Sequence, residues 1–69
     1  MLANILVYDI GSTYTKVAAF FEKDEALTYL GRGQSPTTLS NVLDGARGAE
    51  ADLSAQGITL APDVRRYSS

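Results

Sequence analysis

The sequence contains no cysteine. A chain of 69 residues therefore has no disulfide to reinforce a small core, and thiolate metal sites are excluded. It contains no histidine, which removes Ser-His catalysis and the commonest zinc ligand apart from cysteine. No apolar run approaches the ~20 residues that cross a bilayer. The opening MLANILVYDI lacks a basic leader and is interrupted by Asp9, so it reads as a first strand rather than a signal peptide. A cytoplasmic location is the default expectation, with no membrane partner. Dense positive charge is also missing. Six basic residues face eight acidic ones, for a net charge of −2, and only Arg65 and Arg66 are adjacent. Duplex binding needs a basic patch, so nucleic acid is not an expected partner, and the arginine pair reads as solvated.

What is present is globular. The hydrophobic fraction is 45%, too high for a disordered chain. A domain of this size buries only ~60% of the surface its unfolded chain exposes, so its core is marginal. Residues 2–10, LANILVYDI, form a nearly continuous apolar run of the kind found in a central strand covered on both faces. Residues 15–21 alternate as a second strand, with Val17, Ala19 and Phe21 on one face and Lys16, Ala18 and Phe20 on the other. EKDE at 22–25 is a charged turn, and residues 26–32 form a third strand. The short links predict an antiparallel meander. Gly31, Gly33 and Pro36 then mark a turn and crossover. From Thr38 to Gln56, Leu39, Val42, Leu43, Ala46, Ala49 and Leu53 fall at helical spacing. Thr38 or Ser40 suits the N-cap and Gly57 the C′ position. Gly45 and Gly48 inside this helix either weaken it or mark a close contact. DVRRYSS reads as the beginning of another strand. The order is β-β-β-α-β, an α/β fold with a mixed sheet and one helix. One helix covers one sheet face, so residues 1–69 are expected to be a single partial domain, or to self-associate.

The stretch YDIGSTYTKV carries the candidate chemistry. Gly11 permits close backbone approach. The turn amides from Gly11 to Tyr14 can form an anion nest, Ser12, Thr13 and Thr15 add hydroxyl donors, and Lys16 supplies a point charge. Asp9 at the strand end would repel phosphates unless a cation lay between, and magnesium fits that role. The bland reading is a hairpin turn, since glycine and hydroxyl residues are ordinary turn residues. A Walker A loop is excluded, because the second glycine is missing and a strand follows. The dinucleotide fingerprint fails at Pro36. D-x-G-S also matches the aspartic-protease motif in part, with Ile10 in place of the usual Thr or Ser, which leaves a protease-like dimer around Asp9 open. A non-enzymatic scaffold module that folds by dimerisation is a further alternative. SPTT at 35–38 reads as a loop and helix cap rather than a phosphorylation site.

YDIGSTYTKV resembles the first phosphate motif of the actin-like ATPase superfamily, which includes sugar kinases, actin and heat-shock chaperone ATPases. Together with GRGQSPTTL, the helix and the terminal Ser-Ser, it is most similar to the MutL/GlmL family associated with adenosylcobalamin-dependent glutamate mutase. The resemblance implies a partial ribonuclease-H-like fold and the cofactors ATP and magnesium. Asp9 would be the catalytic carboxylate that meets the metal through water. Gly11, Ser12, Thr13 and Tyr14 would wrap the phosphates, and Thr15 and Lys16 would close the turn. It further implies a reactivating chaperone whose partners are the mutase subunits. Members of the family are several times longer, so on this resemblance the chain is an N-terminal segment, inactive alone.

Overall fold

The computed structural model describes residues 1–38 and 40–68. The expected Leu39 contact, the side chain of Val42 and the final Ser69 lie outside the described residues. The elements are β1 (Leu2–Ile10), β2 (Tyr14–Lys23), β3 (Ala26–Pro36), α1 (Val42–Ala55) and β4 (Thr59–Ser68). The order is β-β-β-α-β, as expected. They build one mixed sheet in the order β3-β2-β1-β4, with β1 antiparallel to β2 and parallel to β4. A parallel pairing needs a crossover, and α1 supplies it. The apolar β1 thus sits centrally, where its backbone groups find partners on both sides.

Pairing registers sort the side chains into two faces. On one face the cross-strand rows are Gly31–Ala19–Leu6, Gly33–Val17–Tyr8 and Ser35–Thr15–Ile10. Helix α1 lies on this face, and Leu6, Tyr8, Val17, Ala19, Ala46, Ala49, Leu53 and Ile58 are buried between the layers. The layers approach closely because the contact residues are small. A Cβ added at Gly33 would land on the carbonyl oxygen of Ala49, and at 3.1 Å from the amide nitrogen of Leu53. A Cβ at Gly48 would come within 2.7 Å of the Ser35 Cβ. Of the two roles open to Gly45 and Gly48, close contact is the one observed.

The element limits and one helix side chain differ from the sequence expectation. β2 runs on to Lys23, with Glu22 and Lys23 paired to β3, so only Asp24 and Glu25 of the expected 22–25 turn form it. β3 does not break at Gly31. It continues to Pro36, because Gly33 is a buried strand residue under α1 rather than a turn residue. Pro36 ends this strand at the sheet edge, where a missing N–H breaks no ladder bond. The helix starts later than Thr38. Asn41 is its N-cap, with Oδ1 accepting from the Leu43 amide at 3.0 Å, so neither Thr38 nor Ser40 holds that place. Leu43 is 54% exposed rather than buried. The face pressed on the sheet is centred on Gly45, Gly48, Ala49 and Asp52, and Leu43 is rotated about 120° from Ala49 at 3.6 residues per turn. Finally, β4 begins at Thr59, ahead of the expected start at Asp63. It takes an irregularity opposite Ala3–Ile5, where β4 advances from Leu60 to Val64, and Pro62 falls inside it. The C-terminal end of α1 follows expectation, with Gly57 at φ +87°, where a side chain would be strained.

The other face has no helix among the described residues. Its first row, Tyr29–Phe20–Ile5–Val64, is apolar and crosses all four strands. Next comes Arg32–Ala18–Val7–Arg66, then the polar row Gln34–Lys16–Asp9–Ser68. The expectation that β1 would be covered on both faces is therefore met on one.

Candidate phosphate-binding turn

The polar row ends where β1 passes into β2, and the candidate residues gather there. Asp9 and Lys16 are direct cross-strand partners, both exposed, on the face away from α1. Gly11, Ser12, Thr13 and Tyr14 form the connecting turn and are all exposed. Sequence reasoning and structure thus agree on which residues come together, but they divide the work differently within the turn.

Gly11 is fixed by the turn itself. Its amide donates to the Tyr14 carbonyl at 3.0 Å, and an added Cβ would sit 2.9 Å from that same oxygen. The Gly11 N–H is therefore occupied. Among the described residues, the amides of Ser12 and Thr13 have no protein acceptor, so they and the two hydroxyls are the donors the turn presents to solvent. Exposed successive amides at a turn are a standard means of holding an anion.

Thr15 behaves differently from its neighbours. It is fully buried, on the helix face, and its Oγ1 lies 2.8 Å from the Oγ1 of Thr37. The Thr37 hydroxyl donates to the Gly11 carbonyl at 2.8 Å. A hydroxyl has one hydrogen, so Thr15 must be the donor in the Thr15–Thr37 bond. The chain of bonds runs Thr15 to Thr37 to Gly11, and the Thr37 amide adds a bond to the Thr13 carbonyl at 2.9 Å. Gly45 makes room for this arrangement, because a Cβ there would come within 2.7 Å of Thr15 Oγ1. Thr37 and Gly45 were missed as site residues. The partners of Thr37, namely Thr15, Thr13 and Gly11, lie 22 to 26 residues earlier in the chain, and no spacing rule joins them.

A second polar cluster lies under β1. Tyr8 is fully buried, donates its hydroxyl hydrogen bond to Glu50 on α1, and stacks on Tyr67 with ring centroids 4.6 Å apart. Arg65 Nε donates to the Tyr8 oxygen at 3.2 Å. Arg65 is thus not simply a solvated member of an arginine pair. Burial and the Glu50 bond push the Tyr8 phenol up to about 12.

The donor set at the turn fits magnesium in one particular way. Among the described residues no group of three or more acidic side chains is assembled. A single carboxylate, Asp9, is what a magnesium ion needs when water and phosphate oxygens supply the remaining ligands.

The β-β-β-α-β unit, with a mixed four-stranded sheet and one helix, places the molecule in the α/β class and matches the partial fold expected from the sequence. Residues 5–69 match the family model described as MutL protein, and the chain belongs to that family, the one associated with glutamate mutase. No curated protein and no solved structure matches it.

Proposed function

We propose that this chain is the phosphate-binding segment of an ATP-dependent reactivating chaperone for an adenosylcobalamin-dependent mutase of the glutamate mutase type, acting in the cytoplasm. The observation that carries this reading is the turn itself. Exposed amides and hydroxyls of Ser12 and Thr13 sit between a carboxylate, Asp9, and a cation, Lys16, on paired strands of a sheet of this family. Ser12 and Thr13 would donate to phosphate oxygens, and Lys16 would offset their charge. Tyr14, exposed beside them, would border the bound anion. Asp9 would hold magnesium through water, and magnesium, when bound, withdraws charge from the phosphoryl group being transferred. Thr15 would act from beneath, by supporting the turn. The adenosine would be held by residues outside this segment, so the segment alone would not be an ATPase.

The test is Asp9→Ala in the complete polypeptide that carries these residues. An aspartate that meets the metal through water should change apparent magnesium affinity in ATP hydrolysis by about 10–100-fold. Wild-type magnesium dependence in that variant would overturn the assignment.

A second reading rests on the apolar row Tyr29–Phe20–Ile5–Val64, open to solvent across the whole sheet. It favours an interaction module in which this face meets a further chain. Sedimentation of the 69-residue chain tests this reading: a stable dimer supports the module, and a monomer at every concentration removes it.

A further inference from the structure

The strongest unassigned feature is the threonine that follows β3. Thr37 makes three hydrogen bonds, two to the candidate turn and one to Thr15 of β2 beside it. Its amide reaches the Thr13 carbonyl, its hydroxyl hydrogen reaches the Gly11 carbonyl, and its hydroxyl oxygen accepts from Thr15. The two carbonyls it occupies flank Ser12, the centre of the exposed donors. A peptide carbonyl that is hydrogen-bonded fixes the plane of the peptide to which it belongs, and that plane contains the following N–H. Holding the Gly11 carbonyl therefore orients the Ser12 amide. The Thr13 carbonyl likewise fixes the Tyr14 amide.

We infer that Thr37 is a positioning residue for the phosphate turn, setting the direction of the Ser12 amide without itself touching the ligand. This rests on the function proposed above. The device extends to α1. Thr15 is pinned from the other side by Gly45, whose missing side chain lets the helix lie directly on Thr15 Oγ1. The turn is thus held by one hydroxyl relay that joins β2 and the segment after β3, with the helix packed against it. An isolated hairpin turn has no such restraint and samples several peptide orientations.

The test compares Thr37→Val, which keeps the shape and removes the hydroxyl, with Thr37→Ser, which keeps the hydroxyl. The complete polypeptide carrying these residues is used, with MgATP as the probe. Leu53→Val serves as a control that loosens the core away from the turn. Thr37→Val should raise the KM for MgATP roughly fivefold or more, as loss of a hydrogen bond of ordinary strength predicts, with a smaller effect on kcat. Thr37→Ser should stay within about twofold of wild type. The backbone order parameter of the Ser12 amide should fall in Thr37→Val without ligand and stay unchanged in Leu53→Val. An unchanged KM in Thr37→Val overturns the inference, and so does an equal rise in Leu53→Val or a failure of serine to rescue. If the wild-type protein hydrolyses no ATP with magnesium, the functional reading falls and this inference falls with it. If the wild type is active and only the Thr37→Val effect is missing, this inference falls alone.

Discussion

The two faces of the sheet are built on opposite rules. On the covered face the closest contacts set small residues against small residues, Gly33 and Ala19 below and Gly45, Ala46, Gly48 and Ala49 above, with Leu6, Tyr8, Val17 and Leu53 filling the space around them. Its contact distance is set by backbone atoms, so a single added carbon has nowhere to go. The open face carries larger side chains, Ile5, Phe20 and Tyr29, with Phe20 and Tyr29 tilted at a centroid distance of 5.6 Å. Nothing among the described residues presses on it. A sheet face packed to backbone contact tolerates no change in volume, whereas a face bounded by solvent relaxes around one. The difference also locates the candidate site. Asp9 and Lys16 belong to the open face and are accessible, while Thr15, one residue from Lys16, belongs to the covered face and supports.

The contrast can be broken most severely at Gly33. Gly33→Ala places its Cβ on the carbonyl of Ala49, and neither strand nor helix backbone can give without parting the layers. The expected loss is about 3 kcal/mol, at the upper end for overpacking. A chain of this size should then show no cooperative thermal or urea transition. Retention of a sharp transition near the wild-type midpoint would mean that α1 does not lie on β3 as described.

Tyr8 offers an intermediate test, since it joins the covered face to α1 and β4. Its folded-state value, about 12, lies above the ordinary tyrosine value of 10.0 that holds in the unfolded chain. The folded state therefore holds the phenolic proton more tightly. The resulting stability is fully present below pH 10 and is lost as the pH rises through about 12. Tyr8→Phe should cost about 1–2 kcal/mol at neutral pH, because Glu50 loses its donor, and should flatten the alkaline decline. Denaturation midpoints measured from pH 8 to 12 for both proteins check this. An equally steep decline in Tyr8→Phe would assign the alkaline transition to another group.

The smallest effect belongs to the open face. Val64, 39% exposed, pairs with Ile5 at the edge of the apolar row. Val64→Thr should change stability by no more than about 0.5 kcal/mol, the usual range for surface positions. Repeating the measurement over a hundredfold range of protein concentration sharpens the comparison. A loss that grows at high concentration would show that a second copy covers this face in solution.

Much of the fold was legible in the chain. The continuous apolar run of β1, the alternation in β2 and the helical spacing of Ala46, Ala49 and Leu53 gave the element order, because each pattern reports which side of a local element meets the core. The end of β3 was misjudged for one reason. Gly31, Gly33 and Pro36 look like a turn by composition, yet here Gly33 is a packing residue and the proline an edge residue. The site divided in the same way. Asp9 to Lys16 was visible as a contiguous stretch, and the structure gathers these residues where β1 passes into β2. Thr37 was not visible, since a hydroxyl bond across 26 residues leaves no periodic trace.

The amino-acid sequence by itself determined the β-β-β-α-β order, the absence of thiol and imidazole chemistry, and the turn with its carboxylate and lysine. These follow from local rules of periodicity, turn chemistry and residue type. Only the tertiary structure decided which hydroxyls of the turn face solvent and which are spent inside. That choice depends on where α1 comes to rest, and α1 rests where Gly33, Gly45 and Gly48 leave room for a backbone-to-backbone contact.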